Sequence, residues 1–75
     1  MKIIVNKKET GEKLKELRIS NNLTFEDTFK LTGIKECLLK DIEDGTSNIS
    51  TLNLVKLCNL YNTSIDNVLC YSVED

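Results

Sequence analysis

Seventy-five residues with a net charge of −2 make one small domain, spanning 1–75, because a chain of this size buries only ~60% of its unfolded surface. That leaves no room for a separate catalytic or sensor unit beside a compact helical bundle. No run of ~20 apolar residues and no charged-then-apolar leader is present, so the expectation is a soluble, cytoplasmic chain with no membrane partner.

Met1–Asn6 alternates around the β-branched Ile3, Ile4 and Val5, the pattern of a short strand. A first helix is expected from near Thr10-Gly11 to about Ser20, with Leu14, Leu17 and Arg18 facing inward. Glu9/Lys13 and Glu12/Lys15 are spaced for ion pairs along it, and Asn21-Asn22 ends it. The second helix covers about 25–32. Thr24 is its N-cap, with Glu26 and Asp27 at the positive end of the helix. Gly33 supplies the positive φ of a tight turn. A third helix over about 35–44 carries Ile34, Leu38, Leu39 and Ile42 at a 3.6-residue period and stops at Asp44-Gly45. Two short helices hinged at a glycine form a helix-turn-helix layout.

After a polar loop, Thr46-Ser47-Asn48, Ser50 caps a fourth helix whose apolar stripe is Leu54, Val55, Leu57, Cys58 and Tyr61. Asn62-Thr63 interrupts it. Ser64 caps a last short helix that buries Ile65, Val68 and Leu69, and the tail alternates again through Val73. Without proline, the chain is read as all-α: a compact five-helix bundle with a core over 10–69 and tails at 1–9 and 70–75. The two tails either pair with each other antiparallel, pair with a second molecule, or fray, because an isolated two-stranded ribbon is marginal in water.

The chemistry-bearing residues are sparse. With no histidine and with Cys37, Cys58 and Cys70 far apart, no metal-ligand spacing exists. Nor is there a nucleophile-and-base constellation or a phosphate-cradling glycine loop. The expectation is no enzyme, no cofactor and no metal. Cys58 and Cys70 read as small apolar residues, and Cys37 as an exposed thiol with a remote prospect of redox sensitivity. Charge is unevenly placed. Residues 1–20 carry six cations against three carboxylates, whereas residues 24–45 carry three lysines against six carboxylates.

The order and spacing of Gly11-Glu12-Lys13-Leu14-Lys15-Glu16-Leu17-Arg18, Leu23-Thr24, Gly33-Ile34, Ile42-Glu43-Asp44-Gly45 and Ser64-Ile65-Asp66-Asn67-Val68-Leu69 resemble the Cro/CI-type helix-turn-helix domains of phage repressors and small bacterial regulators. The resemblance implies a partly buried structural ion pair between Arg18 and Glu43. It also implies a DNA-binding set: Thr24, Phe25, Lys35, Glu36, Cys37, Leu38, Lys40 and Asp41, with Ser47 and Asn48 in the following loop and Asp44 nearby. Phe25 stands where relatives frequently have glutamine, Asp44 where they commonly have asparagine, and Phe29 where they usually have alanine.

Two functions follow as expectations. The first is a small DNA-binding transcriptional regulator, a homodimer on double-stranded DNA. Its third helix lies in the major groove, Lys35 and Lys40 touch backbone, and Glu36, Cys37, Leu38 and Asp41 face bases. Lys7, Lys8 and Lys13 grip flanking phosphates. The second is a protein-interaction module on the same scaffold, an anti-repressor, antitoxin-like or heterodimer partner. Its docking surface is the acidic face of the third helix, widened by Phe25 and Phe29 if both rings point outward.

Overall fold

The computed structural model describes residues 1–75. In chain order the elements are β1 (Lys2–Val5), α1 (Lys7–Ser20), α2 (Phe25–Thr32), α3 (Glu36–Asp44), α4 (Thr51–Leu60), α5 (Ile65–Val68) and β2 (Tyr71–Glu74). None of the helices is long and apolar enough to cross a membrane.

The local signals of α2 are all used. Thr24 Oγ1 accepts from the Asp27 amide at 3.0 Å, and Asp27 Oδ2 accepts from the Thr24 amide at 3.0 Å. This closed capping box satisfies two amides at the helix entrance. Hydrogen bonding from Thr24, its backbone amide first, holds the Asp27 carboxyl below its ordinary pKa. Gly33 (φ +78°) ends α2 and Gly45 (φ +77°) ends α3, both left-handed. Ser50 caps α4 by accepting from the Asn53 amide at 3.2 Å.

Four expectations are corrected. First, α1 starts at Lys7 rather than near Thr10, because Asn6 Oδ1 accepts from the Glu9 amide and opens the helix a turn earlier. Second, Glu9/Lys13 and Glu12/Lys15 do not form ion pairs, and the Lys13 ammonium instead donates to the Asn67 carbonyl. Third, Ser64 occupies the N-cap position of α5, but its side chain makes no capping hydrogen bond. Fourth, Val55 is exposed. The buried stripe of α4 is Leu54, Leu57 and Cys58, continued by Tyr61.

The core gathers Leu14, Ile34, Leu39, Ile42, Leu54, Leu57, Cys58, Tyr61 and Val68, with Leu17, Leu23, Phe25, Leu38, Ile49, Leu60, Ile65 and Leu69 packed around it. Every helix contributes, so the five segments stand or fall as one cooperative unit. Burial pushes the Cys58 thiol up, which suits an inert packing residue.

Helix α1 lies very close to α3. A Cβ on Gly11 would sit inside contact distance of the Ile42 carbonyl oxygen and 2.8 Å from that of Glu43. The absence of a side chain therefore sets the separation of these two helices.

The tails pair with each other. β1 and β2 run antiparallel with Ile3 opposite Val73 and Val5 opposite Tyr71. The ribbon is tied to the bundle at its base. The Asn6 amide donates to the Cys70 carbonyl at 2.8 Å, and the Cys70 amide donates to Thr10 Oγ1 at 3.1 Å.

Candidate nucleic-acid interface

Helix α3 is held against the bundle by Leu39 and Ile42 on its inner face. Its opposite face, carrying Lys35, Glu36, Cys37, Lys40, Asp41 and Asp44, is exposed. Leu38 is corrected here. It is half-buried and packs on the core, so it does not stand with the exposed residues of this face.

Arg18 anchors the arrangement. Its Nε donates to Glu43 Oε2 at 2.8 Å and its Nη2 to Glu43 Oε1 at 3.1 Å, while its Nη1 donates to the Leu23 carbonyl at 2.8 Å. Both partners are buried. The fork geometry matches both carboxylate oxygens, and the third donor pins the turn that leads into α2. The hydrogen bonds to Glu43 raise the Arg18 pKa against the opposing effect of burial. The structural pair expected from the resemblance is thus present as a bidentate buried bridge that also fixes the α1–α2 turn.

Phe25 is likewise part of this anchor. The Arg18 guanidinium carbon lies 4.1 Å from the centroid of its ring, and the Lys40 ammonium lies 5.6 Å from it. Both distances are in the range of cation–π attraction. One ring therefore links the end of α1, the first turn of α2 and the exposed side of α3. Phe29, one turn on, is 41% exposed. The two rings divide between core and solvent, so the paired aromatic patch of the second function is not formed.

Charge on the helix-turn-helix is less acidic in space than in sequence. Of the six carboxylates over 24–45, Glu43 is paired with Arg18 from outside the segment and Glu26 with Lys30 at 3.1 Å. What remains is Lys35 and Lys40 against Glu36, Asp41, Asp44 and Asp27, which the capping box keeps ionised. Further cations approach from α1. Lys7 lines the same groove as Ser47 and Asn48, and the Lys8 backbone lies against Gly45. Ser47 is half-buried and Asn48 exposed. Lysines therefore stand at the start of α3 (Lys35), at its middle (Lys40) and, from α1, near its C-terminal end (Lys7 and Lys8), interleaved with Glu36, Asp41 and Asp44. Lys13 is turned toward α5, away from this set.

Sequence reasoning did not find Asn6, Thr10 or the packing role of Gly11. Asn6 carried a usable signal, a capping residue ahead of Glu9. Thr10 and Gly11 act on partners far along the chain and carried none.

An exposed, lysine-bearing second helix of a helix-turn-helix, braced by a buried Arg–Glu bridge, defines the class: a Cro/CI-type helix-turn-helix protein. The chain belongs to the helix-turn-helix domain family, whose model matches residues 11–69. It is similar in fold to the restriction-modification controller protein C.AhdI from Aeromonas hydrophila, with 27% identity, coverage of 80% of this chain and 91% of that one, and a TM-score of 0.75. It is also similar to the DNA-binding domain of BldD from S. venezulae, at 19% identity, 87% and 97% coverage and a TM-score of 0.76. The clp gene regulator ClgR from Corynebacterium glutamicum gives 18% identity, 87% and 69% coverage and a TM-score of 0.79. No curated protein sequence matches the chain.

Proposed function

We propose that this chain is a DNA-binding transcriptional regulator that works as a homodimer and inserts α3 into the major groove. The observation that carries the reading is the exposed face of α3. It is rigidly held by the Arg18–Glu43 bridge, with Lys35 at its start, Lys40 at its middle and Lys7 and Lys8 near its C-terminal end. Membership of the helix-turn-helix family supports it, as do the roles of the structural relatives as controller protein, DNA-binding domain and gene regulator.

In this arrangement Lys35 and Lys40 neutralise backbone phosphates beside the helix, and Lys7 and Lys8 extend the contact at the far end. Thr24, Ser47 and Asn48 offer neutral hydrogen-bonding groups to phosphate oxygens. Glu36 and Asp41 accept from cytosine N4 in the groove, the one base-edge group a carboxylate suits well, and Cys37 makes a small apolar contact. The acidic face thus serves selection while the lysines supply affinity. A dimer would set two α3 helices about 34–36 Å apart on a pseudo-palindromic site.

Fluorescence anisotropy with random-sequence duplex DNA tests the reading. Binding should be saturable near ~50 mM salt and fall steeply by ~200 mM. Lys35→Ala and Lys40→Ala should each reduce the slope of log K against log salt by about 1. Absence of binding at the lower salt would overturn the proposal, and unchanged slopes in both variants would remove α3 from the interface.

A further inference from the structure

One groove of the molecule carries hydrogen-bonding groups that nothing in the fold uses. It opens where the base of the ribbon, the start of α1 and the loop before α4 meet, and it encloses about 310 Å³. Val5, Ile42, Ile49, Leu54 and Leu69 form its apolar walls, and its polar lining comes from Lys7, Thr10, Ser47, Asn48 and Thr51. The chain has twelve carboxylates, yet none of them lines this groove. The Lys7 ammonium joins no ion pair, and the side chains of Ser47, Asn48 and Thr51 make no hydrogen bond within the protein. Thr10 is 2% exposed. Its Oγ1 accepts from the Cys70 amide at 3.1 Å, while its hydroxyl hydrogen has no acceptor in the protein. By contrast, Thr28 and Thr32 each donate to the carbonyl one turn back, at 3.0 and 2.7 Å. A buried donor left in this way calls for an acceptor from outside the chain.

We infer that this groove binds a small organic anion, a carboxylate carried on one ring or a short branched chain. Lys7 and Thr10 stand three residues apart on one side of α1, so an ammonium and a hydroxyl lie together at one wall, ready for the carboxylate. The apolar walls receive the hydrocarbon body. Volume selects the size: ligand pockets run from about 300 to 1,000 Å³, and this groove sits at the lower bound. Charge selects the sign, since one unpaired ammonium and no carboxylate favour a single negative charge. The apolar walls select against an inorganic anion, which would surrender its hydration there without a matching partner on every side.

The site has a consequence for DNA binding that rests on the regulator reading. Lys7, Ser47 and Asn48 are also the groups given above to DNA phosphates, so a carboxylate seated on Lys7 removes one phosphate contact. Loss of one such contact lowers DNA affinity ~10-fold at ~50 mM salt and reduces the salt slope by about 1. The coupling is reciprocal, and DNA weakens the ligand by the same factor. The groove thereby makes an organic acid an effector that acts within the helix-turn-helix domain itself.

Backbone-amide NMR shifts of the full chain, without DNA, test the site by itself. Isovalerate, benzoate and phenylacetate, each titrated to ~10 mM, are the probes, with acetate and 2-phenylethylammonium as controls. At least one probe should saturate, with a dissociation constant of ~0.1–5 mM, and shift the amides of Thr10, Gly11, Asn48, Ile49 and Thr51. Acetate lacks the hydrocarbon body and 2-phenylethylammonium carries the wrong charge, so neither should saturate. Lys7→Gln should weaken the probe ~3- to 5-fold with an unchanged thermal transition. Failure of all three probes to saturate overturns the inference. So does equal binding of 2-phenylethylammonium, or a set of shifts centred outside the groove. Fluorescence anisotropy then reads the consequence: saturating probe should weaken duplex DNA binding ~10-fold at ~50 mM salt, against acetate at equal concentration. Unchanged DNA affinity overturns the effector role. Absence of DNA binding with the probe still bound counts against the regulator reading alone.

Discussion

Replacing Gly11 by alanine sets two physical effects against each other. Gly11 sits inside α1, where alanine is the better helix former by about 1 kcal/mol, so an isolated view of the helix expects stabilisation. The tertiary packing reverses the sign. The added methyl would overlap the Ile42 carbonyl oxygen and stand 2.8 Å from that of Glu43. Both are backbone atoms of α3 that cannot rotate away, so the two helices must separate. Leu14 and Arg18 lie on the same face of α1, three and seven residues further on. The separation therefore loosens both the core contact of Leu14 and the bridge to Glu43. Overpacking of this kind costs about 3 kcal/mol, leaving a net loss of about 2 kcal/mol after the propensity gain. A 75-residue domain with a total stability of roughly 4–11 kcal/mol loses a substantial share, and its melting temperature should fall by about 8–16 °C. Urea unfolding followed by far-ultraviolet circular dichroism measures the change, with Glu12→Ala at the neighbouring exposed position as the control. A Gly11→Ala variant as stable as wild type, or more stable, would refute the argument that α1 and α3 touch through their backbones.

Two further outcomes test the anchor and the core. Arg18→Ala strands the buried Glu43 carboxylate and should destabilise the fold by about 3–5 kcal/mol. The double replacement Arg18→Met with Glu43→Leu should cost clearly less, and equal losses from the two would show that the bridge is not the source. Tyr61, buried in the core, has its phenol pushed up to about 12 by desolvation, against about 10 in an unfolded chain. Its raised pKa contributes stability that is complete below pH 10 and lost as pH rises toward 12. The loss is about 2–3 kcal/mol in all. Denaturant melts at pH 9 and pH 11.5 should show this fall in wild type and a flatter profile in Tyr61→Phe. Parallel profiles would place the alkaline sensitivity elsewhere.

Much of this fold was legible because its signals are local. Thr24 and Ser50 act on amides three residues away, Gly33 and Gly45 act through their own φ, and the apolar spacing of Leu39 with Ile42 in α3, or of Leu54 with Leu57 in α4, is a property of one helix at a time. The boundaries of α2 and α3 followed from such signals. The start of α1 did not, because Asn6 ends a β-branched run and serves as ribbon residue and helix cap together. Val55 sits in an apolar stripe by period alone, yet α4 has neighbours on only part of its circumference.

The candidate site was less legible than the fold. Counting charges along 24–45 made the helix-turn-helix strongly acidic, since a count assigns every carboxylate to the surface. In space, Glu43 is buried against Arg18, a cation from outside that segment, so the exposed face of α3 carries one carboxylate fewer. Phe25 falls at a DNA-contacting position by resemblance, with a face that the sequence leaves open between core and surface, and only the approach of Arg18 and Lys40 makes its ring a structural tie.

By itself the sequence determined the helix-turn-helix, the Arg18–Glu43 pair through its family resemblance, and the reach of the core. These rest on short-range hydrogen bonding and on apolar period, which are properties of contiguous residues. Tertiary structure alone decided that the tails join, that Gly11 sets the α1–α3 distance, and which charges face outward. Those depend on contacts between residues tens of positions apart, and such contacts exist only once the chain has closed on itself.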